Sequence, residues 1–293
     1  MGEVRRVVVA TDFSAGSTAA LQRGVRIAQA HQAELDLLHA FDISAWHALR
    51  GVFDMARLAG AVPPDVVMRD RLVALAGSLK SQTGLAVSAQ FGLGEPAVAI
   101  ESHVQAKAAD VVVLARRSQP DAPGAGSTLL RVLHRTPCPV LVVRRSAERD
   151  YERLLAAVDL RDVSKRAAAA AVALFPRAAH CLLHVLDRAR AREAFAETFG
   201  AQEVQVHLQR LHEQMQAWLG ELAGELGQRV QGKISTVVLD ATVSRALIEQ
   251  AATLSADCVA VGRHGQGVLA ERLLGSTALD LIHHASSDVL VVP

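Results

Sequence analysis

The 293-residue chain carries 31 basic and 30 acidic residues, for a formal net charge of +1, and 51% of it is hydrophobic while only 3% is aromatic. Near neutrality supplies no global field toward nucleic acid, a membrane surface or an acidic partner, so any ligand must be read by a local site. The length sets a prior of two domains, and the aliphatic, aromatic-poor composition favours helices packed on strands over an all-β sandwich.

In chain order, apolar runs of strand length alternate with longer stretches of 3.6-residue periodicity, the pattern of βαβ units around a parallel sheet. Strands are predicted near 5–11, 34–40, 85–91, 110–115 and 138–143, with helices near 15–32, 64–82, 95–107 and 127–135. A second series follows, with strands near 153–158, 180–186, 229–239, 257–262 and 288–292 and helices near 163–175, 201–226, 243–254 and 275–285. Five strands and four helices per series make a small doubly wound α/β fold, whose ligands bind beyond the carboxyl ends of the strands.

The two series are copies of each other. RRVVVATDFS (5–14) parallels ERLLAAVDLR (152–161), AELDLLHAFD (33–42) parallels AHCLLHVLD (179–187), ADVVVLAR (109–116) parallels ADCVAVGR (256–263), and CPVLVV (138–143) parallels SDVLVV (287–292). Asp12 and Ala115 are 103 residues apart, as are Asp159 and Gly262. Asp12 and Gly126 are 114 apart against 116 for Asp159 and Gly275, so one late loop of the first copy is two residues shorter. A duplication explains this register. It predicts domains at 1–145 and 151–293, joined near the charged segment RRSAERDY (144–151). The apolar terminal strands 138–143 and 288–292 are expected to hide their edges by antiparallel pairing, which makes the chain an intramolecular pseudo-dimer and leaves a homodimer open.

Chemistry concentrates in VAVGRHGQGVLAERLLGSTALDLI (259–282), which leaves a strand, crosses a glycine-rich loop and enters a helix at Gly275-Ser276-Thr277. Glycines let backbone N–H groups approach phosphate oxygens, and a helix start offers unpaired donors and the positive end of a dipole. The plain alternative is that Gly262 and Gly265 make a tight turn while Ser276 or Thr277 caps a helix. The segment resembles the universal stress protein family, whose nucleotide-binding members carry Gly, two residues, Gly, nine residues, then Gly with Ser or Thr; Gly262, Gly265 and Gly275-Ser276 match at each position. Strand-end Asp159, LLHVLD (182–187) and DVLVVP (288–293) extend the resemblance over essentially the whole chain, twice.

The resemblance implies that Asp159 contacts ribose, that the backbone at Val185 holds adenine, and that Gly262, Gly265, Gly275, Ser276 and Thr277 hold the phosphates of ATP, accompanied by Mg²⁺. Ala157 and Val261 would be apolar contacts. In the first copy the phosphate positions are eroded: Ala115 and Ser118 replace the first two glycines, and Pro120 and Pro123 stiffen the loop and remove donors, while Asp12, Gly126, Ser127 and Thr128 persist.

Twelve histidines form no metal-ligand motif; His39 and His184, equivalent in the repeat, read as structural, and His264 inside the glycine loop as the histidine nearest phosphate. No nucleophile elbow, pyrophosphatase loop or synthetase signature is present, so the expectation is a binding protein and not an enzyme, with slow ATP hydrolysis at the second site left open. Cys138, Cys181 and Cys258 lie in apolar runs and read as reduced core thiols. They suit a cytoplasmic protein, as do a start without a signal-peptide pattern and the lack of a stretch of about 18 apolar residues. Two functions from different classes are therefore expected: a stress-response regulator or sensor that binds an adenine nucleotide in its C-terminal copy, or a tandem interaction protein whose sites hold another small molecule or nothing.

Overall fold

Strands covered on both faces must be apolar throughout, and those at the middle of each sheet are. The structure is a computed structural model that describes residues 3–41, 63–116, 128–144, 146–187, 189, 192–193, 200–264 and 274–293. Contacts divide the chain between Glu148 and Arg149 into two units, Glu3–Glu148 and Arg149–Pro293.

In the first unit, β1 (Arg6–Ala10), β2 (Glu34–Phe41), β3 (Val87–Leu93), β4 (Val111–Ala115) and β5 (Val140–Val143) are ordered β3-β2-β1-β4-β5 with parallel ladders. Val7, Val8, Val9 and Val111, Val112, Val113, on the two central strands, are fully buried. Helix α1 (Ala15–His31) starts at Ser14, whose hydroxyl accepts the Ser17 N–H at 3.2 Å. Helix α2 (Pro64–Thr83) has proline at its first position and ends on Gly84 at φ +71°, the usual opening and closing residues. Helices α3 (Pro96–Lys107) and α4 (Thr128–Arg135) complete the unit. Right-handed crossovers that run outward from β1 on one side and from β4 on the other put α1 and α2 on one face of the sheet and α3 and α4 on the opposite face.

The second unit repeats this plan. Strands β6 (Arg153–Ala157), β7 (Ala179–Leu186), β8 (Ile234–Asp240), β9 (Cys258–Gly262) and β10 (Asp288–Val292) are ordered β8-β7-β6-β9-β10, again with parallel ladders. Its helices are α5 (Asp162–Leu174), α6 (Ala201–Gly227), α7 (Val243–Thr253) and α8 (Ser276–His284). Against the sequence expectation, β8 does not begin at 229. Residues 229–233 turn instead: Gln231 and Gly232 both donate to the Pro176 carbonyl, at 2.8 and 3.2 Å, and a Cβ on Gly232 would lie 2.1 Å from the Ala178 carbonyl oxygen. Only glycine passes there, so the chain turns before the strand starts. The charged 144–151 segment is tied down on both sides of the boundary. The Arg26 guanidinium donates to the carbonyls of Ala147 and Glu148 at 2.7 and 2.5 Å, and Tyr151 is buried with its hydroxyl on Asp288 and its ring 4.7 Å from that of Phe175.

One carboxylate per unit pins the amino end of the central strand pair. Asp110 Oδ2 accepts the N–H groups of Arg5 and Arg6 at 2.8 and 2.9 Å, and Asp257 Oδ2 accepts those of Glu152 and Arg153 at 2.7 and 3.0 Å. The units differ in a second polar cluster. Asp36, buried on β2, accepts from Ser88 Oγ at 2.6 Å and Arg6 Nη1 at 3.0 Å and pairs with His103 Nε2 at 2.8 Å. The repeat places Cys181 at that position, opposite Ser235 as Asp36 is opposite Ser88. All three cysteines are buried and free, and burial with the nearby Asp110 charge pushes the Cys138 thiol up to about 12. No helix among the described residues is long and apolar enough to cross a membrane.

Two outcomes follow from these carboxylates. Asp257→Ala leaves two N–H groups without their charged acceptor and should lower the stability of the second unit by about 2–3 kcal/mol in denaturant titration, with Asp257→Asn costing less; equal or negligible losses would contradict the pinning role. Burial pushes the Asp36 carboxyl up, but bonds from His103, Ser88 and Arg6 outweigh it and hold it at about 2, below its ordinary 3.8. A depressed folded value makes the contribution complete above the unfolded value and lost as pH falls through the folded one, so about 2 kcal/mol should disappear between pH 4 and pH 2. Acid unfolding of Asp36→Asn should lack that step; matching acid profiles would refute it.

Candidate functional site

The central pair β6 and β9 runs in register, with Leu154, Leu155 and Ala156 opposite Cys258, Val259 and Ala260. The chain leaves β6 toward β7 and leaves β9 toward β10, so the following helices α5 and α8 depart to opposite faces and open a crevice at the carboxyl ends. Ala157, half-buried, ends β6, and Val261, buried, precedes the last residue of β9. Both stand at the carboxyl ends of their strands.

The next strand supplies a backbone position at the same end. Val158 donates its N–H to Leu183 at 2.9 Å, while its own carbonyl is taken by His184 Nδ1 at 2.9 Å. A carbonyl only accepts, so Nδ1 carries the proton. The imidazole thus occupies the acceptor that would otherwise extend the ladder to the next N–H. Alternation along a parallel strand turns the backbone of Val185 to the same side as that of Leu183, beyond the last β6 bond. His39 makes the equivalent contact to Thr11 at 2.7 Å. Both histidines are structural.

Gly262 stands where the loop departs, and its missing side chain has a visible reason. A Cβ there would lie 3.0 Å from Val163 Cγ2, in the first turn of α5. The first unit solves the same contact in reverse: glycine is on the helix, at Gly16, and its Cβ position lies 3.7 Å from Ala115 Cβ on the strand. Ala115 is therefore a reciprocal exchange of small residues and does not by itself close a phosphate cradle. Gly265 lies outside the described residues, as do Ser118, Pro120, Pro123, Gly126 and Ser127.

Across the crevice, α8 begins with Gly275 at the cap position, and Gly275 donates to the Arg263 carbonyl at 2.8 Å, which draws the helix start against the end of β9. Ser276 is exposed and Thr277 half-buried in the first turn, and no side chain caps the helix. The capping alternative for these hydroxyls thus finds no bond to support it. The first turn has no acidic residue, so the positive end of the dipole is uncompensated within it. Half-burial lowers the pKa of Arg263, and its Nε lies 3.3 Å from His264 Nε2, which must be the unprotonated nitrogen.

Asp159 is brought to the same mouth but is already engaged, by a residue that sequence reasoning passed over. Its Oδ1 accepts the Arg161 N–H at 3.0 Å, and its Oδ2 accepts Arg161 Nε at 2.7 Å together with the Nη2 group. Burial would raise its carboxyl, yet the Arg161 and Ser164 bonds and the Arg161 charge hold it below the ordinary carboxylate range. Ser164 Oγ, which donates toward the carbonyls of Asp159 and Arg161, braces the turn. In the first unit Ser14 stands where Arg161 does, and Ser17 where Ser164 does. An arginine two residues after a strand-end carboxylate, at a helix cap position that favours Ser or Asp, was the available signal.

Comparison with known proteins follows this geometry. The model of the Universal stress protein family matches residues 3–144 and again 150–293. A universal stress protein of Mycolicibacterium smegmatis is 42% identical over 67 residues, a stretch that spans 23% of this chain and only 22% of that protein. A universal stress protein from Archaeoglobus fulgidus shares the fold over 99% of both chains, with a TM-score of 0.61 at 18% identity. A functionally unknown protein from Pseudomonas aeruginosa does so over 99% of this chain and 92% of its own, at 0.60 and 17%. Matched from end to end by two copies of one family model, the chain belongs to the universal stress protein family as a tandem member.

Proposed function

We propose that the chain is a stress-response regulator or sensor that binds an adenine nucleotide, ATP with Mg²⁺, in its second unit, and that it works by binding and not by turnover. Topology supports this reading: a carboxylate just after β6 (Asp159), a backbone position near the end of β7 (Val185) and an uncapped helix start after β9 (Gly275, Ser276, Thr277) all follow the carboxyl ends of neighbouring parallel strands. Each suits a different part of the ligand. The carboxylate suits ribose hydroxyls and would repel phosphate, the backbone edge suits the adenine rim, and the helix start suits the phosphates.

Mg²⁺ would arrive on the phosphates. Among the described residues no group of three His, Cys, Asp or Glu side chains could hold a metal ion, so the protein's share would be neutral oxygens such as the Ser276 and Thr277 hydroxyls. The competing reading, another small molecule or none, has its best footing in the first unit, where Asp12 and Thr128 persist beside a loop that has lost its first two glycines.

The test separates phosphate from sugar. Ser276→Ala combined with Thr277→Val removes two hydroxyls from the phosphate end, and should weaken ATP by about tenfold, the equivalent of one to two lost hydrogen bonds, while AMP changes little. Calorimetry with both nucleotides measures it. Equal losses for ATP and AMP, or none, would contradict a phosphate site at this helix.

A further inference from the structure

We propose that Arg161 is a built-in competitor for Asp159, which makes the second-unit site select nucleotides with outer phosphates over AMP and adenosine. This rests on the nucleotide reading above and deepens it.

An ionised carboxylate offers about four acceptor positions. Arg161 fills three: its backbone N–H on Oδ1, and its Nε and Nη2 groups on Oδ2. A ribose edge presents two hydroxyls, so both cannot reach Asp159 while the guanidinium stays. The backbone bond belongs to the turn into α5 and remains. It is the side chain that must leave.

The Arg161 side chain is 40% exposed and the Asp159 side chain 27%, so the pair is wet enough to open, as partly exposed ion pairs are. Arg161 caps α5, and two residues on, Val163 lies against Gly262, where the phosphate loop begins. In this proposal a guanidinium released from Asp159 turns toward that loop start, and a planar fork that binds a carboxylate in two places binds a phosphate equally well. A triphosphate replaces the lost partner. Adenosine brings no anion, and AMP brings one phosphate only, next to the sugar. Binding of either leaves the arginine charge without its carboxylate, which is a cost ATP does not carry.

In the first unit the same position is Ser14, whose hydroxyl accepts the Ser17 N–H and caps α1. Serine there is compatible with the fold, so Arg161→Ser transplants a neighbour's solution and should gain a helix cap in α5. The exchange removes the competitor without disturbing Asp159 or Ser164.

Calorimetry with ATP, AMP and adenosine on the full chain and on Arg161→Ser tests the proposal, with the apo melting temperature recorded to verify folding. AMP and adenosine should bind the variant roughly tenfold more tightly, the scale of a charge-assisted hydrogen bond, while ATP binds no more tightly than before, so the ATP-to-AMP preference collapses. Arg161→Lys, which keeps the charge but lacks the fork, should fall between the two. An unchanged ATP-to-AMP ratio in a folded Arg161→Ser overturns the competitor role and leaves the nucleotide reading standing. Failure of all three ligands to bind either protein overturns both.

Discussion

In each unit a single carboxylate, Asp110 or Asp257, accepts two successive backbone N–H groups at the amino end of the first strand, and so locks that strand beside the fourth. Everything at the opposite end depends on this register. The first and fourth strands are where the crossovers change direction, and a shift of one residue between them would exchange the faces on which the buried valines pack and displace the two strand ends relative to each other. Charge is affordable at the amino end because it meets backbone donors there.

Duplication kept that frame and let the polar details diverge. The close contact between the first helix and fourth strand is met by Gly16 with Ala115 in one unit and by Val163 with Gly262 in the other, a swap of volume across one interface. The position two residues after the strand-end aspartate is a helix-capping serine in the first unit and a carboxylate-binding arginine in the second. Asp36, with Arg6, Ser88 and His103 around it, has no acidic counterpart, since Cys181 takes its place. Two units of one design thus present different chemistry at their strand ends and in their interiors.

Most of the fold was legible because parallel strands must be continuously apolar and because the repeat doubled each signal. The strands at 6–10 and 153–157 and the helices at 64–83 and 243–253 fall where periodicity put them. The start of β8 was not: the expected strand ran back through Arg-Val-Gln-Gly-Lys (229–233), where the hydrogen bonds to Pro176 and the close packing of Gly232 on Ala178 turn the chain instead. At the crevice, spacing singled out Asp159, Gly262 and Gly275-Ser276-Thr277, but not what occupies Asp159. An ion pair between residues 159 and 161 depends on the turn that brings them together, and charge alternation in DLRD looks like solvated surface. Gly262 was read as a phosphate glycine, and its packing against Val163 becomes visible only when the helix is set over the strand.

The central claim is that the frame is shared while nucleotide binding belongs to the second unit alone. Native mass spectrometry of the freshly purified full chain, titrated with ATP and Mg²⁺, reads this directly as bound mass per chain. The account predicts saturation at one nucleotide per chain, lost on Gly275→Pro; saturation at two, or one nucleotide retained undiminished by that variant, would contradict it.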